Sequence, residues 1–382
     1  MTTNLLMHAD SARDPDLFAA TGVTIIDPFA YLETDGKRII LTSTLEADAA
    51  RRNSSATEVL TGDDLGLRQL VREGMEYEQA SLEGVARLLQ RFGVGEVAVP
   101  PLFPLRTADF LRDRGVAVNV DREAFEDRRR AKDETALEGI RAAQRAAEQA
   151  FLRLRELLGA STPDPDGVLL DGEVLTCERL TTEVEDTLRA HGCGGPPPLV
   201  SAGPKNAFVH ELGSGPVRPG DSLIADIFPM HLASRYYADM TRTFCVGPAP
   251  DWLTHMHRTT LEALKRSTDA MRPGAAGIDV YGVACDVIEA AGYRTERTAD
   301  PDTVLDEDFF HGLGHGVGVE VHEAPGMGLG SRETLREGDV VTNEPGVYRK
   351  ATGGVRLEDL VLITGDGHEV LTDFDYDLEI RP

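Results

Sequence analysis

Cysteine is scarce in this chain: four among 382 residues, at positions 177, 193, 245 and 285, with no Cys-x-x-Cys spacing. That excludes a disulfide-stapled scaffold and leaves reduced thiols, in the core or near the surface, as the expectation. Positive charge is short as well. With 39 Lys and Arg against 65 Asp and Glu the formal charge is −26, which repels nucleic-acid backbones and anionic membrane surfaces, so neither is expected as a partner. No run approaches the roughly 18 apolar residues that span a bilayer. The N-terminus lacks a basic stretch followed by an apolar one, and cytoplasmic residence is therefore the expectation. The 38 Gly and 21 Pro follow no period, which excludes a fibre, and a nucleotide-binding glycine signature is missing from the N-terminal third.

What is present is enough apolar sequence, 41% of the chain, to bury a large core, and enough length for two domains. Residues 22–28, 30–33 and 37–43 read as short strands, the last two flanking a turn at Asp35-Gly36. Residues 46–53, 65–72, 77–92 and 107–113 read as helices, and 97–100 and 116–120 as further strands. This is an α/β unit, expected to cover and position the remainder. The charge-dense stretch 121–132, with Arg at 128, 129 and 130, is expected to be a solvated or salt-bridged helical face. It marks the boundary between an N-terminal domain over 1–127 and a second domain over 128–382. Leu137, Ile140, Ala143, Ala147, Phe151 and Leu154 recur at helical spacing and predict a helix over 134–158. Beyond it come a helix at 181–191, strands at 222–227 and 236–246, helices at 252–270 and 280–291, and strands at 316–321, 340–342, 354–357 and 360–364.

Chemistry concentrates after Val200. Asp226, Asp239, Glu344 and Glu358 lie in or beside short apolar segments, and His315 sits in a glycine-rich run. Carboxylates among Leu, Ile, Val and Phe are costly unless something positive neutralises them. Two divalent cations would neutralise four acids while His315 offered a nitrogen, and such mixed ligation suits Mn, Fe, Co or Zn. If the segments bearing Asp226 and Asp239 pair, facing side chains fall within roughly 5 Å; Glu344 and Glu358 repeat the arrangement. The expected chemistry is a hydroxide held between two metals attacking a carbonyl, with Glu344 taking the proton from the water. His311 and His322 are left to donate hydrogen bonds or shuttle protons, and His210 is a candidate substrate-binding group. Arg356 stands two residues before Glu358, on the same side of its strand, placed to bind a substrate carboxylate, orient a ligand or pair with an acidic neighbour. His231 reads equally as a loop or a pocket residue, and His8, His191, His255, His257 and His368 read as surface residues.

At these residues the chain resembles the family of Xaa-Pro dipeptidases (prolidases), Xaa-Pro aminopeptidases and methionine aminopeptidases. Its members share a pita-bread catalytic fold, found also in a metal-free relative that cleaves creatine but lacks the ligand set retained here. The resemblance implies an α/β N-terminal domain, of the creatinase-N kind, plus an α+β pita-bread C-terminal catalytic domain. It implies Asp226, Asp239, His315, Glu344 and Glu358 as ligands of two divalent metal ions, Mn first and Co or Zn as alternatives. His210, His311 and His322 match the family's substrate-binding and proton-handling histidines. The implied activity is hydrolysis of the Xaa-Pro bond of a small peptide with proline second, in dipeptides ahead of the alternative, an aminopeptidase acting on longer peptides. A dipeptidase also needs a cation for the terminal carboxylate, with Arg332, Arg349, Lys350 and Arg356 as candidates. Members of the proline-specific branch are commonly homodimers, and a homodimer is expected here. Two features depart from the family: the interval of 13 residues between Asp226 and Asp239 is longer than usual, and Asp226-Ile-Phe228-Pro229 replaces the usual Asp-x-Gly.

Overall fold

Short alternating apolar segments build the first unit, Met1–Arg129, of this computed structural model, which describes residues 4–300 and 302–382. Its strands are β1 (Leu5–Ala9), β2 (Phe29–Thr34), β3 (Lys37–Thr42), β4 (Glu58–Thr61), β5 (Glu96–Val99) and β6 (Ala117–Val120), and they form one sheet in the order β4-β3-β2-β1-β5-β6. The β2–β3 hairpin closes through Asp35 and Gly36, both at positive φ (45° and 73°), as a two-residue turn matched to strand twist requires. Side chains alternate between the faces. Leu6, Leu32, Ile39 and Val97 join one apolar cluster, and Leu5, Met7, Tyr31 and Ile40 join another. The helices α1 (Pro15–Thr21), α2 (Ala47–Asn53), α3 (Leu67–Arg72), α4 (Tyr77–Arg91) and α5 (Leu105–Arg112) connect the strands, and α6 (Arg122–Arg130) follows the last of them.

One expected strand is missing from this unit, and two that were not expected, β1 and β4, stand in its sheet. Residues 22–28 are not a strand, because Gly22 ends α1 in the left-handed region (φ 70°), donating to Phe18 O at 2.7 Å, and the chain then turns toward β2. The sheet is filled instead by β1, paired antiparallel to β2 and parallel to β5. The arginine run is ion-paired: Arg128 with Glu33 at 2.7 Å and Arg129 with Asp16 at 3.1 Å.

In the second unit, Arg130–Pro382, the Asp133 carboxylate accepts from Ala136 N at 2.8 Å and starts helix α7 (Glu134–Gly159). Its buried face carries Ile140, Ala143, Ala147, Phe151 and Leu154. Strands β7 (Leu169–Leu170) and β8 (Glu173–Val174) form a ribbon ahead of helix α8 (Cys177–Ala190), which packs on α7. A second ribbon joins β9 (Cys193–Gly194), just ahead of β10 (Leu199–Ala202) and β11 (Leu223–Ile227), to β12 (Met230–His231). Antiparallel pairing of β10, β11 and β13 (Met240–Val246) makes the first sheet of this unit. Helices α9 (Asp251–Ala270) and α10 (Gly277–Ala290) follow and pack on each other.

The second sheet follows within the run of β14 (Gly314–Gly316), β15 (Glu323–Met327), β16 (Val340–Asn343), β17 (Gly346–Arg349), β18 (Gly353–Arg356), β19 (Asp359–Thr364) and β20 (Gly367–Val370), of which β17 and β18 form a hairpin outside it. Its order is β15-β14-β16-β19-β20, with the hairpin held apart as its own pair; β21 (Glu379–Ile380) returns to lie beside β13 in the first sheet. The two sheets meet at one backbone seam, where Glu358 N donates to Thr241 O at 3.0 Å. Buried Arg242 locks that seam, donating to Glu358 O at 2.6 Å and pairing with Asp359 at 2.9 Å.

Several expectations for this unit need correcting. The strand placed at 316–321 lies upstream, at Gly314–Gly316, because the register shifts between His315 and Gly316 and a turn bonds Gly318 N to Glu320 O. The strand placed at 236–246 is regular only from Met240; ahead of it Tyr237 makes an isolated bridge to Met230 while its N–H turns to Gly318 O at 2.8 Å. His257 is buried on α9 rather than exposed, and His8 in the first unit is half-buried, bonded to Thr107 Oγ1 at 2.9 Å. All four cysteines are free and buried.

Candidate metal centre

The pairing of the strands places the acids. In the first sheet the register opposes Asp226 to Thr241; Asp239 stands two positions before Thr241, just ahead of β13, and so shares its face. In the second sheet Asn343 opposes Asp359, and the next step outward brings Glu344 and Glu358 together. Buried Asn343 holds that end of β16 against α9, accepting from Ser267 Oγ at 2.9 Å and donating to Leu264 O at 3.0 Å. His315 lies in β14, its backbone N bonded to Thr342 Oγ1 at 3.0 Å. Gly316 beside it permits a close approach that no side chain would allow, since a Cβ there would fall 2.3 Å from Ala324 O.

A cavity of about 440 Å³ collects these side chains. Asp226, Asp239, His315, Glu344, Glu358, His210, His311, His322 and Arg356 all line it, whereas His231 bonds to Ser234 Oγ at 2.8 Å and is not among its lining residues. The Asp239, His315 and Glu358 ligand atoms lie within 4.8 Å of one another. Glu344 Oε1 is 3.5 Å from His315 Nε2, and Asp226 is held by Arg356 Nη2 at 2.5 Å. Pro196 and Leu199 also contribute, so the lining begins slightly before Val200.

The donor set fits a divalent cation. Asp226 Oδ1 and Asp239 Oδ1 are buried with no hydrogen-bond partner, an unfavourable state for a carboxylate oxygen. The His315 Nδ1 faces Gly316 O at 3.1 Å and must donate there, because a carbonyl only accepts. That leaves the Nε2 lone pair turned toward Asp239 and Glu344, an orientation that a cation between them would satisfy. The electrostatics agree. Burial first, then the neighbouring carboxylates, raise Asp239 and Glu358 well above the usual carboxyl range; burial brings Glu344 up to about 7. Burial also pushes His315 down to about 3, which keeps its ring neutral and able to ligate.

The remaining histidines divide by their surroundings. His311 donates from Nδ1 to Gly312 O at 2.7 Å, and its Nε2 meets Tyr348 OH at 3.0 Å, so both nitrogens are engaged. Burial, with Arg356 adding to it, lowers His311 to about 3. The ring is therefore neutral and Nε2 accepts from the Tyr348 hydroxyl. His322, exposed on its outer side, sets its ring edge-on to His315, centroids 4.2 Å apart, and the desolvation of its inner side lowers its pKa. His210 is exposed at the cavity rim.

Arg356 takes the acidic-neighbour alternative. Beyond Asp226 it donates to Tyr348 OH at 3.1 Å and to Thr241 Oγ1 at 3.3 Å. Two residues that sequence reasoning passed over thus hold the site together. Tyr348 joins Arg356 to His311, and Thr241 donates to Glu358 Oε2 at 2.7 Å. The strand pattern held a signal for Thr241, the residue facing Asp226; for Tyr348, on a hairpin apart from the sheet, it held none. The other cations proposed for a carboxylate lie elsewhere: Arg349 pairs with Asp308 at 2.6 Å, Lys350 with Asp306, and Arg332 is not among the lining residues.

Residues 138–365 match the sequence profile of Metallopeptidase family M24. The Xaa-Pro dipeptidase of Pyrococcus furiosus is 32% identical over 202 residues, which cover 52% of this chain and 54% of that protein; the match thus spans about half the length of that curated relative. Among solved structures, the X-Pro aminopeptidase of Thermotoga maritima superposes with a TM-score of 0.80 at 22% identity, over 100% of this chain and 97% of the other. The prolidase of Pyrococcus horikoshii gives 0.78 at 23%, over 98% and 95%. At those identities the likeness shows the fold alone, an N-terminal α/β domain with a pita-bread catalytic domain.

Proposed function

Because the chain belongs to metallopeptidase family M24, we propose that it hydrolyses the Xaa-Pro bond of small peptides, dipeptides first, with two divalent ions held by Asp226, Asp239, His315, Glu344 and Glu358. The observation that carries this reading is the convergence of nine residues on one cavity in which two buried carboxylate oxygens lack any partner. Mn is the first expectation for the ions, with Co and Zn also suited to oxygen and nitrogen ligands. When bound, such ions polarise a carbonyl and lower the pKa of water. The chain's own residues do the rest. Glu344 faces both His315 and the cavity, and is the carboxylate placed to hold a proton during turnover. His322 and His210 present imidazoles to the peptide, and the Arg356–Tyr348–His311 chain fixes the neutral His311 ring at the cavity wall. Residues 1–127 serve as the N-terminal domain, 128–382 as the catalytic domain, and the working state is a cytoplasmic homodimer.

One observation favours a second reading, an aminopeptidase acting on longer peptides. Among the described residues that line the cavity, Arg356 is the only Lys or Arg, and Asp226 already engages it. A dipeptide's carboxylate would then depend on His210 or His322. The deciding experiment is hydrolysis of Ala-Pro, Ala-Pro-Ala, Met-Ala-Ala and Ala-Ala by Mn-loaded protein, with bound metal counted in the same sample. Cleavage of Ala-Pro alone supports the dipeptidase and preference for Ala-Pro-Ala the aminopeptidase. Metal-loaded protein that cleaves none of the four overturns both.

A further inference from the structure

Beside its acids and imidazoles, the cavity is lined by Pro196, Leu199, Val209, Phe228 and Val321. Phe228 occupies a distinctive place among them. Side chains alternate along a strand, so Phe228, two residues after Asp226, turns to the face that carries Asp226. Phe228 and Asp239 lie one residue past the strand ends, but the bond of Ala238 N to Pro229 O and the bridge of Met230 to Tyr237 keep the register that opposes Ile227 to Met240, which sets Phe228 beside Asp239. An aromatic ring thus stands next to two of the acids, while it belongs to none of the interior apolar clusters among the described residues.

The backbone around this ring is pinned on both sides. Ala238 N donates to Pro229 O at 3.1 Å, and Met230 pairs with Gly194, two residues before Pro196. Tyr237 N donates to Gly318 O at 2.8 Å, at the turn that leads into Val321. The long connection between Asp226 and Asp239 therefore ties Phe228, Pro196 and Val321 into one preformed apolar wall. Such a wall loses little freedom when a ligand packs on it.

We propose that Phe228 is a specificity-determining residue, selecting peptides whose first residue is large and apolar; the inference rests on the hydrolase reading above. In that reading the carbonyl attacked belongs to the peptide's first residue and must be brought to the site that Asp226 and Asp239 line, so the ring beside them meets that residue's side chain. Proline, constant in the substrate, leaves the first residue as the position at which the wall discriminates.

The test compares wild type with Phe228→Ala and Phe228→Leu, matched for metal content and melting temperature, on Leu-Pro, Gly-Pro and Leu-Ala. Leu-Pro-Ala and Gly-Pro-Ala are included so that the result does not depend on preferred peptide length. The kcat/KM ratio of the Leu-Pro to the Gly-Pro substrates is expected to fall roughly tenfold in Phe228→Ala, mostly through KM, and to be largely kept in Phe228→Leu. An unchanged ratio overturns the proposal, as does a rising one, which would make the ring a steric stop. Loss of Leu-Pro relative to Leu-Ala, with the Leu-Pro to Gly-Pro ratio intact, means that the wall holds the proline ring and also overturns it. Metal-loaded wild type that cleaves none of these peptides overturns the hydrolase reading itself, an outcome distinct from the others.

Discussion

Stripping the divalent ions is expected to make Glu344 destabilise the fold as pH rises. Burial brings this carboxyl from the ordinary 4.5 up to about 7. A group whose folded pKa exceeds its unfolded one binds more protons when folded. Its stabilising contribution is therefore complete below about 4.5 and is lost as the pH climbs through 7. The difference corresponds to about 3 kcal/mol, and Asp239 and Glu358, also raised by burial, act in the same direction. His311 and His315 oppose it. Burial lowers both from 6.5 to about 3, so their contribution is present above 6.5 and lost as the pH falls toward 3. Glu344 is isolated by urea denaturation of chelator-treated wild type and Glu344→Gln at closely spaced pH values from 4.5 to 8, because the imidazole contribution is common to both. The variant should gain about 3 kcal/mol on wild type across that range, and Mn²⁺ should reverse the advantage by stabilising wild type more. A difference that stays flat with pH, or runs the other way, refutes the reasoning.

Thr241→Val removes the hydroxyl that donates to Glu358 Oε2 and should cost about 1–3 kcal/mol in stripped protein; calorimetric titration should show metal affinity lower by roughly 10- to 100-fold. Tyr348→Phe breaks the link between Arg356 and His311 and should lower kcat about tenfold, with metal stoichiometry by atomic absorption unchanged. Gly316→Ala forces a methyl against Ala324 O and should cost about 1–3 kcal/mol by thermal denaturation, with weaker metal binding because His315 is adjacent.

Much of the site was legible in the sequence because strand pairing obeys a simple parity. Asp226 inside β11, and Glu344 with Glu358 one step beyond the Asn343–Asp359 pair, follow from recognising two hairpin-like returns. The helix α7 was equally plain, since its apolar spacing runs unbroken for several turns. Features that depend on distant partners were not legible. β1 is five residues long and lies between β2 and β5, a position set by tertiary packing that its own short run does not announce. His257 reads as a polar residue on a helix, and only the packing of distant segments around it makes it a buried one. Arg356 admitted several roles until Asp226, 130 positions away, was seen beside it. Residues 316–321 alternate like a strand, yet the glycines there make a bulge and a turn, which hydropathy does not distinguish from a pleat.

The seam between Thr241 and Glu358 has a consequence for the order in which the protein is made. Asp239 is synthesised before any strand of the second sheet, and Glu358 follows it by 119 positions. At a ribosomal rate of about 5–20 residues per second, Asp239 waits roughly 6 to 24 s before the last acid of its site exists. Over that interval the aspartates gain His315 first, then Glu344 and last Glu358, so the complete set that grips an ion, and any cleavage that depends on it, is deferred until the seam strand has been made.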